Sequence, residues 1–240
     1  MKIDELVKLV VILRKKCPWD RQQTLKSLKN NLVEETYELV EAIEADNSMA
    51  IKEEIGDILF LGIFLARVLE EEKGFSLKKL LGQTIKKYKH KHPHVFKKKQ
   101  LSSPEAVLRF WNRNKKDTFR GIPKTLPALL AAKIIQERAA KLGFDWNSHH
   151  GPLKKIAEEI RELKQSINSN HVFEEFGDLL FACVNLARHL NLDAEDALRY
   201  ANKKFIKRFR KIKAVLKSRN KKIEQTTLPE MDRIWDEIKK

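Results

Sequence analysis

The chain is 240 residues long, 42% hydrophobic and 34% charged, which allows two modest domains or one large one around a real core and excludes a disordered or fibrous polypeptide. Cys17 and Cys183 stand far apart and outside any C-x-x-C spacing, which excludes a disulfide framework and a cysteine zinc site. Charged residues through 2–16 exclude a signal-peptide core, no later run reaches spanning length, and the lysines behind the net charge of +16 are spread throughout; a cytoplasmic protein is expected, with no membrane partner and without nucleic acid as its main ligand.

Gly and Pro are scarce and apolar residues recur at helical spacing, which predicts an all-α protein. The first predicted helix, 3–16, ends at Cys17-Pro18-Trp19-Asp20. The second, 24–45, carries Glu34-Glu35-x-x-Glu38, and the third, 49–72, opens with Glu54-Ile55-Gly56-Asp57. A lysine-rich helix over 76–91 leads into a linker from His92 to Pro104, and a helix over 104–116 carries Arg109 and Trp111. Gly121 to Pro127 is a second linker. Helices over 127–142, 152–167, 171–190, 193–218 and 229–239 complete the chain, with turns at Gly143-Phe144-Asp145-Trp146 and Asn191-Leu192-Asp193.

The halves repeat one another. Glu34-Glu35-x-x-Glu38 returns as Glu158-Glu159-x-x-Glu162, and Glu54-Ile55-Gly56-Asp57 as Glu175-Phe176-Gly177-Asp178. Each half begins with a helix ending in a Trp/Asp turn and closes with Pro-Glu followed by Arg and Trp. Two tandem helical-bundle domains, 1–120 and 121–240, follow.

An acidic helix face is commonly just solvated, but here the inner glutamates border apolar stripes. Glu35 and Glu38 flank Leu25, Leu28, Leu39, Val40 and Ile43; Glu159 and Glu162 flank Leu153, Ile156, Ile160, Leu163 and Ile167. Asp57 and Asp178 interrupt near-continuous apolar runs, which predicts burial, and a buried carboxylate needs a counter-charge. Gly56 and Gly177 beside them are expected to let another helix approach. An all-oxygen set without His or Cys suits Mg²⁺, with Mn²⁺ as substitute, while pairing with Lys or Arg is the structural alternative. Mg²⁺ usually binds with substrate phosphates, and Lys204 and Arg208, one helical turn apart, are suited to hold them; Trp235 could stack on a base or belong to the core.

These motifs, together with Cys17-Pro18-Trp19-Asp20, His92-Pro93-His94-Val95-Phe96 and the run from Glu175 to Leu190, resemble the MazG family of nucleoside triphosphate pyrophosphohydrolases over almost the whole chain. The resemblance implies two tandem MazG-like all-α repeats, usually dimeric, and Mg²⁺-dependent hydrolysis of nucleoside triphosphates to monophosphate and pyrophosphate. It implies broad specificity, serving nucleotide-pool cleansing or regulation. Its metal ligands fall on Glu159, Glu162, Glu175 and Asp178, and its substrate contacts on Lys155, Glu158, Glu159, Lys204, Arg208 and Trp235. The base is Glu158 or Glu159, and the C-terminal copy is the expected active one. Glu35, Glu38, Glu54 and Asp57 form a second candidate metal site, whose counterparts of Lys204 and Arg208 are Lys87 and Lys91, with no arginine. The contrasting reading is a non-catalytic helical module that binds nucleotide or metal for regulation, with nucleic-acid binding by the basic C-terminal helix a weaker option.

Overall fold

A computed structural model describes residues 2–97, 101–113 and 117–239. Among them there is no strand, and the chain divides into two compact units, Met1–Trp111 and Asn112–Lys240. No helix among the described residues is long and apolar enough to cross a membrane. Residues 98–100 of the predicted linker and 114–116 of the predicted fifth helix lie outside the described residues.

The first unit begins with α1 (Lys2–Lys16) and a short α2 (Pro18–Gln22), where the sequence predicts only a turn. Pro18 explains the extra helix, since its fixed φ and missing N–H suit the first helical position. The predicted helix at 24 begins at α3 (Leu28–Glu44) instead. Thr24 and Ser27 close a turn on each other: Thr24 N–H donates to Ser27 Oγ at 2.9 Å and Ser27 N–H to Thr24 Oγ1 at 3.1 Å. Such local side-chain bonds compete with helix geometry.

A three-residue connection joins α3 to α4 (Ser48–Lys73), and the two pack as a helical hairpin. Asn47 caps α4, its Oδ1 accepting from the N–H groups of Met49 and Ala50 at 3.2 and 3.3 Å. The core gathers Val10, Leu28, Leu61, Phe64 and Val68. Arg14 ties it to the loop below α2: its guanidinium stacks 5.7 Å over Phe64, donates to Glu71 and to the carbonyl of Gln23 at 3.0 Å, and also reaches the carbonyl of Asp20. That pairing holds the Glu71 carboxyl below its ordinary value. The Cys17-Pro18-Trp19-Asp20 motif is therefore an anchoring turn. α5 (Leu77–Lys91), the one-turn α6 (Pro93–Phe96) and α7 (Pro104–Arg113) complete the helices of this half.

The second unit contains α8 (Ala128–Ala140), α9 (His150–Ser166), α10 (Val172–His189), α11 (Ala194–Ser218), a single 3₁₀ turn and α12 (Leu228–Lys239). α9 and α10 form its hairpin, crossed by α8. Buried Gln136 on α8 donates its Nε2 to the carbonyl of Phe181 at 2.8 Å, and Lys133 pairs at 2.7 Å with Asp193, the cap of α11. The Gly143-to-Trp146 turn fastens three helices. Gly143 takes a left-handed φ of 91° after α8, and a side chain at Gly151 in α9 would collide with the Trp146 ring. Asp145 receives Arg188 at 2.8 and 2.5 Å and lies 2.9 Å from His189 Nε2, both at the end of α10. A separate apolar cluster of Ile212, Leu216 and Ile234 joins α11 to α12.

Candidate metal centre

α9 presents Glu158, Glu159 and Glu162 within little more than one turn, and α10 answers with Glu175 and Asp178 at i and i+3. Because the two helices form a hairpin, these carboxylates converge. One oxygen each from Glu158, Glu159 and Glu162 lies within 4.8 Å of the others, and the same holds for Glu159, Glu175 and Asp178. Glu159 belongs to both triads and is the buried member, 3% exposed.

Lys155, one turn earlier on α9, lies 2.6 Å from Glu158 and 2.6 Å from Glu159. Its hydrogen bond to Glu158, then that to Glu159, raises the ammonium's pKa, and in return Lys155 holds the Glu158 carboxyl below 4.5. Glu162 shifts the other way: desolvation first, then the Glu159 charge, pushes it above 4.5. The lysine-pairing alternative is thus realised at one edge, leaving Glu162, Glu175 and Asp178 without an ion pair among the described residues. Five carboxylates around one lysine fit a hard divalent cation: the donors are all oxygen, and they are short of positive charge.

The first unit repeats the arrangement on α3 and α4. Glu35, Glu38 and Glu54 bring oxygens within 4.8 Å of one another. Desolvation, followed by the charge of Asp57, raises the pKa of half-buried Glu35; desolvation and the charge of Glu38 raise that of Glu54. Among the described residues no ion pair engages this cluster.

Two expectations need correcting. Asp57 and Asp178 are exposed within the chain rather than buried, as are Ile55, Leu59, Phe176 and Leu180 around them. The stripe on α9 is likewise open at Leu153, Ile160 and Ile167. Each hairpin covers one face of its acidic helices and leaves these residues exposed among the described residues. For the same reason nothing among the described residues lies within 4 Å of a side chain built at Gly56 or Gly177, where the sequence leads one to expect a neighbouring helix.

Arg208 and Trp235 meet between α11 and α12, and Lys204 lies one turn before Arg208 on α11. The Arg208 guanidinium lies 5.5 Å over the Trp235 ring, Phe205 packs 5.3 Å from Trp235, and Lys204 sits 5.7 Å over Tyr200. Among the described residues neither cation pairs with the carboxylates. Phe205 and Phe209, stacked at 6.0 Å, went unnoticed in the sequence although their i, i+4 spacing was visible. The first unit has the parallel set: Tyr88 and His92 at 6.3 Å, His92 edge-on to Trp111 at 5.2 Å, and Lys87 and Lys91 over Tyr88 at 5.4 and 5.7 Å.

Comparison with known proteins bears on the same residues. A family model for the MazG nucleotide pyrophosphohydrolase domain matches residues 23–96 and 147–213, once in each half. The chain is 39% identical to the nucleoside triphosphate pyrophosphohydrolase/pyrophosphatase MazG of Thermotoga maritima, over 98% of this chain and 95% of that one. It is 35% identical to the nucleoside triphosphate pyrophosphohydrolase of Escherichia coli K12, over 100% of this chain and 97% of that one. Among solved structures, a mazG-related protein from Thermotoga maritima is 26% identical, with a TM-score of 0.43, and matches 48% of this chain and 99% of its own.

Proposed function

The chain belongs to the MazG nucleotide pyrophosphohydrolase family, and from that premise we propose that it hydrolyses nucleoside triphosphates to the monophosphate and pyrophosphate at the carboxylate cluster of its second half. The observation that carries the reading is the pair of triads sharing buried Glu159. The cation is Mg²⁺, with Mn²⁺ able to replace it, held by Glu159, Glu162, Glu175 and Asp178; when bound it supplies Lewis acidity and neutralises charge on the leaving pyrophosphate.

The chain's own groups do the rest. Glu158 or Glu159 orients the attacking water and takes its proton. Glu158 is a partly exposed carboxylate that Lys155 holds in its ionised form before the nucleotide arrives, and it can accept a hydrogen bond from that water. Lys204 and Arg208 hold phosphate oxygens: the arginine, braced on Trp235, offers a planar pair of donors, and the lysine a mobile charge. The other, partly exposed surface of Trp235 is available to a base. Stacking on a Trp face suits any base, which supports broad specificity and, with it, a role in cleansing or regulating the nucleotide pool.

We further propose two domains meeting near residue 120, a cluster at Glu35, Glu38, Glu54 and Asp57 that holds a second cation, and a homodimer. The dimer is supported by the apolar surface of Phe173, Phe176, Leu180 and Phe181 beside the acids. We propose a cytoplasmic location, in keeping with nucleoside triphosphates as substrates. Pyrophosphate release from mixed nucleoside triphosphates with Mg²⁺, abolished by EDTA, tests the reading; cation and nucleotide binding without release would establish the non-catalytic module instead.

A further inference from the structure

Lys155 occupies an unusual position for a residue whose only assigned part is contact with substrate. Its ammonium is 2.6 Å from the carboxylates of both Glu158 and Glu159. Glu159 is the one ligand common to the two triads, and at 3% exposure it has little access to water to satisfy its charge. The lysine therefore sits on the central ligand of the cluster, satisfying it in the absence of a cation. A divalent ion binding Glu159 would stand within a few ångströms of that ammonium, and the two positive charges repel.

The first half supplies a built-in contrast. Asn31 precedes Glu34 and Glu35 by three and four residues, as Lys155 precedes Glu158 and Glu159. The first cluster thus has the same acids at the same spacing without the resident cation, and no ion pair engages Glu35, Glu38, Glu54 or Asp57 among the described residues.

We propose that Lys155 is a positioning residue that acts as a displaceable counter-ion: it holds Glu159 ready while the second cluster lacks a divalent cation, competes with that cation for Glu159, and on displacement swings to the phosphates of the incoming nucleotide. This deepens the functional reading above and rests on it. Its stem is long enough to move the ammonium several ångströms while Cα stays fixed on α9, and the side chain is 37% exposed, so the movement needs no rearrangement of the hairpin. Displacement couples the two binding events. A cation arriving with its nucleotide gives the lysine a new set of anionic oxygens, whereas a cation arriving alone takes Glu159 from the ammonium and leaves it Glu158 alone. The second cluster should therefore take the bare ion weakly and the nucleotide-bound ion well, while the Asn31 cluster lacks that discrimination.

The test is Mn²⁺ binding to the full chain by isothermal titration, in a Glu54→Gln, Asp57→Asn background that silences the first cluster, with helical circular dichroism confirming the fold. Lys155→Met should tighten binding of bare Mn²⁺ by on the order of tenfold, and weaken binding of a non-hydrolysable nucleoside triphosphate analogue at saturating Mn²⁺. Lys155→Arg, which keeps the charge, should leave Mn²⁺ binding near that of the background chain. Unchanged or weaker Mn²⁺ binding in Lys155→Met overturns the competition. Tighter Mn²⁺ binding with unaltered analogue binding overturns the swing to phosphate. If Mn²⁺ binds neither the background chain nor Lys155→Met, while Glu159→Gln also changes nothing, the metal reading of the cluster itself has failed.

Discussion

Replacing Asp145 with asparagine removes the charge that fastens the Gly143-to-Trp146 turn to the end of α10, and its cost can be worked from the structure. The Arg188 hydrogen bond, then that from His189, draws the Asp145 carboxyl from 3.8 down to about 2. The side chain is 26% exposed, so solvent screens the pair only partly. A depression of nearly two pH units, at ~1.4 kcal/mol each, corresponds to about 2 kcal/mol of stability at neutral pH. The sign follows from a folded value below the unfolded one: the contribution is fully present above about pH 4 and is lost as pH falls through about 2. The variant should lose further stability because Arg188, whose Nε has no partner among the described residues, keeps its charge in a largely covered position. Native-state hydrogen exchange of the α10 amides, compared between wild type and Asp145→Asn from pH 7 downward, reads the effect within this unit. The opening free energies should differ by at least about 2 kcal/mol at pH 7, with the gap narrowing by about 2 kcal/mol between pH 4 and 2. A gap that is absent at pH 7, or that stays constant to pH 2, would refute the electrostatic account of this anchor.

Two other outcomes follow from the same geometry. Arg208→Lys should raise KM for nucleoside triphosphates roughly tenfold, with a smaller effect on kcat, because lysine loses both the paired donors and the stacking on Trp235; unchanged steady-state KM would remove Arg208 from phosphate binding. In EDTA, Glu35→Gln should stabilise the first unit at neutral pH. Glu35 has a raised pKa, so its ionised form is disfavoured by folding, and the penalty appears as pH rises above 4.5. Urea unfolding at pH 7 and pH 4 checks this: the variant's advantage should be present at pH 7 and shrink at pH 4.

The duplication, the all-α class and the helices carrying the acids were legible because spacing at i, i+3 and i+4 survives as geometry on a helix. Convergence of Glu159 with Glu175 and Asp178 could be argued from two adjacent helices joined by a short turn. What sequence could not give was the depth of each residue. An apolar run around Asp57 and Asp178 reads as burial, yet a hairpin covers only one side, and Phe176 and Leu180 stay open. The start of α3 was misplaced because the Thr24–Ser27 turn is decided by side-chain hydroxyls rather than by apolar period. Lys155 was assigned to substrate by resemblance, but its hold on Glu158 and Glu159 needed coordinates, since i, i+3 and i, i+4 spacing permits such pairs without requiring them. Nor did the stacking of Arg208 on Trp235 follow from chain order, because it depends on how α11 packs against α12.

The central claim is that the Glu159-centred cluster performs the hydrolysis. The most direct measurement is pyrophosphate release, with Mg²⁺ and a mixture of nucleoside triphosphates, by Glu175→Gln and Asp178→Asn variants whose circular dichroism matches the unaltered chain. The account predicts that each falls by on the order of a hundredfold or more, while EDTA abolishes release by the unaltered chain. Release at the unaltered rate by both folded variants would contradict it.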